Sequence, residues 1–152
     1  MTGIFKKKLD PSRMFADDNW KVAQGKYEGN PVIVRINANL HPFVGKSDHT
    51  LKIGFAIPLN NPHPGEMPDP EENILIAAIE DQITENLNAK GSAVLALAIT
   101  MGTFKEFVYY AKPGIDIASI HQELMTNIKS HDIQCIASIE NKWETYREWA
   151  NR

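Results

Sequence analysis

Ala93-Val94-Leu95-Ala96-Leu97-Ala98-Ile99 is the stretch whose reading decides the fold. It is far shorter than the roughly 20 apolar residues of a membrane helix. It also lacks the polar alternation of a half-buried strand, so it predicts an interior strand covered on both faces of a sheet. On its N-terminal side, Leu75, Ile76, Ile79, Ile83 and Leu87 recur at helical spacing. Asp69 suits an N-cap, Pro70 the first helical position, and Glu72 would complete a capping box, so a helix is predicted over residues 70–87. On its C-terminal side, Met101-Gly102-Thr103 turns the chain into a strand over 104–110, which Lys112-Pro113-Gly114 ends. Asp116 can cap a second helix whose buried stripe is Ile117, Ile120, Leu124 and Ile128. A strand over 133–139 and a terminal helix over 141–152 complete that half.

Further out, Pro58, Pro62, Pro64, Pro68 and Pro70 stiffen residues 58–70 into a loop, because proline fixes φ and removes a donor. Residues 51–57 alternate cleanly, with Leu51, Ile53, Phe55 and Ile57 on one face. Residues 31–37 are rich in β-branched side chains, and residues 20–24 form a shorter strand before turn chemistry at 25–30. From residue 51 the order is strand, helix, strand, strand, helix, strand. The expected class is α+β: a ferredoxin-like split βαβ core with both helices on one face, an N-terminal β-hairpin extension and a short C-terminal helix. The register of the first two strands stays open, as does the cover of the second face. The N-terminal segment, the Trp143 helix and a partner chain are the candidates. Residues 1–19, with Lys6-Lys7-Lys8, Pro11 and Asp17-Asp18, read as a leader that docks or frays, and residues 20–152 as a single domain.

The composition, 43% hydrophobic and 23% charged over 152 residues, is that of one globular domain. Sixteen basic against nineteen acidic side chains give a net charge of −3, which argues against broad nucleic-acid or anionic-membrane binding. Cys135 is the one cysteine, so no internal disulfide forms. Its alternation with Ile133, Ala137 and Ile139 makes it an inert core thiol. The N-terminus has no apolar signal core, and the expected location is the cytoplasm.

Catalytic signatures are absent: there is no Walker loop, Rossmann glycine fingerprint, nucleophile elbow, H-E-x-x-H or paired C-x-x-C. No catalytic residue, cofactor or metal site is expected. His41, His49, His63, His121 and His131 are scattered and read as surface or turn residues, without the three or four converging ligands of a zinc site. The aromatic strand at 104–110 carries Glu106 in its middle and lacks the glycine of RNA-recognition strands, so it reads as core and edge packing. Trp143, Tyr146 and Ala150 form a stripe that packs onto the body.

No lysine or arginine occurs between Lys52 and Lys90, an interval that holds Glu66, Asp69, Glu71, Glu72, Glu80, Asp81 and Glu85. Glu71 and Glu72 suit a helix N-terminus. Asp81 and Glu85 repel at i, i+4 and do nothing for the helix. Glu66, Glu80, Asp81 and Glu85 are therefore the candidate interaction surface. Arg35, Asn37 and Tyr110 are candidate ligand contacts, with Arg35 a natural partner for a carboxylate or phosphate.

A string of short motifs adds a resemblance. They are Gly29-Asn30-Pro31 leading into Arg35-Ile36-Asn37, Gly65-Glu66-Met67-Pro68 with Glu71, Ile79-Glu80-Asp81 and Thr100-Met101-Gly102, followed by Glu106-Phe107 with Tyr110, and Ile139-Glu140 with Trp143 and Tyr146. Over roughly residues 20–150 the chain resembles the bacterial family catalogued as domain of unknown function 695. It is distantly similar to the protein regulators that inhibit ribonuclease E, whose acidic-x-x-Trp-x-x-Tyr ending reads here Glu140-Asn141-Lys142-Trp143-Glu144-Thr145-Tyr146. The resemblance implies a fold and a binding role, and no catalytic residues. Two functional readings follow. The first is a non-catalytic protein-binding or regulatory domain that docks a basic partner through the acidic surface. The second is a small-molecule sensor or enzyme using Arg35 and Asn37 beside the 58–70 loop. A homodimer stays open.

Overall fold

In the computed structural model, which describes residues 9–151, the chain builds six strands: β1 (Trp20–Tyr27), β2 (Asn30–Asn37), β3 (Leu51–Pro58), β4 (Ala93–Thr100), β5 (Phe104–Ala111) and β6 (Gln134–Ile139). They form one antiparallel sheet in the order β1-β2-β4-β5-β3-β6. Helices α1 (Pro70–Lys90) and α2 (Ile117–Asn127) cover one face. The short helix α3 (Glu144–Ala150) and two 3-10 helices, Pro11–Phe15 and Ala38–Phe43, cover the other. The chain is α+β.

The hairpin β1–β2 closes through Glu28 and Gly29, at φ 51° and 82°. A two-residue turn of that hand needs φ > 0 at both positions, which glycine supplies freely and glutamate at some cost. β2 then pairs with β4, Ile33 opposite Thr100 through Ile36 opposite Leu97. The hairpin thus extends the sheet past β4, and residues 93–99 are buried throughout. A bulge at Ala96 shifts the alternation: Leu95 packs toward the helices and Leu97 toward the opposite core.

The helix-side core is mainly aliphatic, with Ile53, Ile57, Ile79, Ile83, Ile120 and Leu124 in it. Two expectations about the buried stripes of the helices need correcting. Leu75 is 53% exposed, and Ile117 of α2 is only partly buried. The buried row of α1 is Glu72, Ile76, Ile79, Ile83 and Leu87; at 3.6 residues per turn Leu75 falls about 80° from its centre. The capping box does not form either. Asp69 makes no cap bond and turns to His63 Nε2 and Asn61 Nδ2, at 2.9 and 2.6 Å. Glu72 turns inward, accepting from the backbone N–H groups of Asn60 (2.6 Å) and Asn61 (3.1 Å) and from His131 Nε2 (2.7 Å). The loop's remaining buried donors outcompete a solvated cap for that carboxylate. The same loop lies against Gly102, where a Cβ would collide with the carbonyl oxygens of His63 and Glu66.

The second face is closed by segments from both ends of the chain. Met14 of the first 3-10 helix is buried, as are Trp143 and Tyr146. Residues 1–8 of the expected leader lie outside the described residues. Trp143 precedes α3 rather than riding on it, in a left-handed conformation (φ 51°, ψ 52°) that a bulky residue adopts only when its surroundings impose it. Its indole stacks on Tyr110 at 4.8 Å and donates to the His49 carbonyl at 2.7 Å. His49 and His131 are themselves buried, which corrects the surface reading of both. Their ring nitrogens are anchored on Ser92 and Glu72 respectively.

Candidate functional site

Antiparallel register decides which side chains of the hairpin face α1. Val22 lies opposite Arg35 and Trp20 opposite Asn37. Paired residues share a face, so Trp20, Arg35 and Asn37 all point to the helix side. There α1 passes one flank of its buried row, and an open cavity of about 430 Å³ lies between the helix, β2, β4 and residues 14–17. Its charged lining consists of Asp17, Arg35, Glu80, Asp81 and Glu85.

Arg35 is already committed. Its guanidinium lies 2.7 Å from Glu80 Oε1 and sits over the Trp20 ring, 5.4 Å from the centroid. The Trp20 indole N–H donates to Asp17. Asn37 is spent on structure: its amide donates to the Leu95 carbonyl at 2.9 Å and its oxygen accepts from Asn39 N–H at 3.2 Å. Glu80, with a side chain 19% exposed, is therefore a half-buried ion-pair partner rather than a free surface acid. Asp81 and Glu85 are exposed at the cavity's rim. Glu66 is exposed in the 58–70 loop and does not line the cavity, nor does any other residue of that loop.

Tyr110 is not a ligand contact. It is fully buried on the opposite face, where it donates to Glu140 at 2.7 Å and accepts from the Tyr146 N–H. Burial and the Glu140 carboxylate push its phenol well above the ordinary value. Glu140 also accepts from Thr145 and lies 3.2 Å from Lys52. The acidic-x-x-Trp-x-x-Tyr ending is thus a structural clasp over β5.

Four features were not read from the sequence. Trp20 and Asp17 belong to the cavity only because the hairpin folds back on α1, which a sequence without a known register does not reveal. Lys105 is a buried lysine hydrogen-bonded to Asn73 Oδ1 at 2.8 Å; burial, then the nearby Arg35 charge, holds its pKa below the ordinary value. Strand alternation with Phe107 and Tyr109 was the available signal. The Glu72–His131 pair joins residues 59 positions apart. In the sequence Glu106 reads only as an interruption of an aromatic strand. Cys135 packs beside the helix-side core, and burial pushes its thiol up to about 11, which leaves it protonated and unreactive. Among the described residues no three His, Cys, Asp or Glu side chains converge as a metal site. Among them, too, no helix is long and apolar enough to cross a membrane.

These features define a mixed α+β protein with a six-stranded antiparallel sheet and a carboxylate-rich groove beside its longest helix. The chain belongs to the family of unknown function (DUF695), whose match spans residues 18–149. No curated protein and no solved structure matches it.

Proposed function

We propose that this chain is a non-catalytic binding domain with a regulatory role, whose groove beside α1 receives a positively charged segment of a protein partner. The observation that carries the reading is the state of the charges in the groove. Its one guanidinium, Arg35, is neutralised by Glu80. Asp81 and Glu85 stand one helical turn apart at the rim, and their carboxylates have no hydrogen bond or ion pair among the described residues. Their mutual repulsion costs the helix a few tenths of a kcal/mol, and a basic partner relieves it. The small-molecule reading needs a free guanidinium and amide. Arg35 and Asn37 supply neither, and the 58–70 loop contributes no residue as a lid.

Two finer readings accompany this one. The strand order β4-β5-β3-β6, with α1 and α2 on one face, supports a ferredoxin-like core. The Glu140, Trp143, Tyr146 ending supports distant kinship with the regulators that inhibit ribonuclease E, and with it a regulatory role.

The test is cross-linked capture from the native cell with wild-type chain and the double variant Asp81→Asn/Glu85→Gln, followed by binding kinetics on what is captured. The variant folds as well as wild type and captures less. Its on-rate falls about tenfold at low salt. Wild-type binding weakens as salt rises, because exposed charges are screened within about 10 Å at 0.1 M. A partner that binds the neutralised chain as tightly as wild type, at low salt and high, overturns the reading.

A further inference from the structure

A second cleft, of about 360 Å³, opens on the face of the sheet opposite α1 and α2 and shares no lining residue with the acidic groove. Its walls include the aromatic residues Tyr27, Phe104 and Trp149, and its charged lining consists of Lys52, Glu106 and Glu148. Glu106 stands mid-strand on β5, with Ala56 and Ile99 as its cross-strand neighbours. Its carboxylate leans over Gly54, where a Cβ would sit 3.0 Å from Oε2. Glycine at that position makes the room.

No hydrogen bond or ion pair reaches the Glu106 carboxylate from any described residue. Lys52, whose charge acts on Glu106, is held by Glu140 at 3.2 Å and Thr145 at 3.3 Å. Burial raises the Glu106 pKa above the ordinary 4.5, and Lys52 offsets this only in part. The Glu106 carboxylate is half-buried rather than enclosed, so its desolvation is partial, but nothing in the fold offsets it. Here the fold gains nothing from the charge, since Gln would fill the same volume without that penalty. Aromatic faces attract cations, and the volume lies at the lower end of small-ligand sites, roughly 300–1,000 Å³.

We infer that this cleft binds a small organic cation, an alkylammonium or guanidinium group, with Glu106 as its counter-ion and the surrounding aromatic residues as its walls. The inference does not depend on the acidic groove, and either can fail alone. The chemistry is that of a free amine or of a lysine side chain, and the probes separate the two.

The experiment titrates the full-length chain, followed by amide and indole NMR resonances, with n-butylammonium, with lysine blocked at both termini, and with 1-butanol. Butylammonium is expected to shift the Gly54 and Glu106 amides and the Trp149 indole saturably, with a Kd on the order of 1 mM. Glu106→Gln, checked as folded from its resonance dispersion, weakens that binding about tenfold or more, and 1-butanol binds no better to either chain. Tighter binding of blocked lysine assigns the cation to a peptide side chain, and tighter binding of butylammonium to a free amine; both sustain the site. Equal shifts for wild type and Glu106→Gln, butanol binding as strong as butylammonium, or no saturable shift with either amine overturns it.

Discussion

The helix-covered face of the sheet and the opposite face are closed by different means. On the first, α1 and α2 lay branched aliphatic side chains on Ile53, Phe55 and Ile57, with Tyr109 bonded to Thr84 beneath α1. On the second, irregular segments from both ends of the chain close the face, and the C-terminal one is pinned by aromatic side chains whose polar tips each donate to one acceptor. Trp143 Nε1 reaches the His49 carbonyl, Tyr146 OH the Asn37 carbonyl at 2.8 Å, and Tyr110 OH the Glu140 carboxylate. Aliphatic packing tolerates small changes of shape, because its energy is spread over many contacts. A pinned aromatic loses packing and leaves a buried acceptor unpaired at once. Regular helices can rely on the first mechanism; a seven-residue helix with a left-handed residue at its start needs the second.

That contrast can be broken at its most heavily loaded pin. Trp143→Ala should cost about 3–5 kcal/mol in urea unfolding, since it removes a buried ring and its hydrogen bond together. A loss below roughly 1 kcal/mol would show that the second face does not depend on this pin.

A polar anchor also exists on the helix side, and it sharpens the comparison. Glu72→Gln should cost about 1–3 kcal/mol at pH 7, because one amide oxygen cannot serve two backbone donors and His131. Burial pushes the Glu72 carboxyl up, but the Asn60 N–H, His131 and the Asn61 N–H together hold it below its ordinary 4.5. A depressed folded pKa adds stability above the unfolded value, and that stability is lost as pH falls through the folded one. Wild-type unfolding free energy should therefore drop below about pH 4.5, with a shallower drop for Glu72→Gln. Parallel acid profiles for the two chains would remove Glu72 from the account.

Ile83→Val tests the spread-out core and should cost only about 0.5–1.5 kcal/mol. If its melting curve shifts as far as that of Trp143→Ala, the two faces do not differ in kind. Smallest of all, Leu75→Ser should change stability by no more than about 0.5 kcal/mol, because the residue is mostly exposed. A larger loss would mean that Leu75 is covered in solution, a sign of self-association to be checked by sedimentation.

The division between what could and could not be read in advance follows the same line. β4 announces itself because both of its faces are apolar, and α1 because Ile76, Ile79, Ile83 and Leu87 keep a helical period. The pairing of residues 33–36 with 97–100 is set by nonlocal geometry that no local pattern carries. Glu72 misled because a capping box and a buried anchor look identical in one dimension. In the groove, Arg35, Asp81 and Glu85 stood out as charge against a biased background. Asp17 and Trp20 join them only after the hairpin has folded back. Tyr110 and Asn37 looked like ligand contacts because polar side chains on strands do, and the structure spends both on its own backbone and clasp.

The hairpin has a consequence during synthesis. Residues 20–37 leave the ribosome well before their pairing partner on β4, so this two-stranded ribbon must wait while more than fifty further residues are added. An isolated hairpin is marginal in water, and Val32, Val34 and Ile36 lack much of their cover during that interval, because Val94, Leu97, Ile99, Trp143 and Tyr146 are still to come. When β4 emerges, it too presents apolar side chains on both faces and an unpaired edge. A nascent chain stalled before β4 is complete displays the apolar face and the unpaired edge of β2 with no strand to receive them, which marks this interval as the one in which a chaperone matters most to this protein.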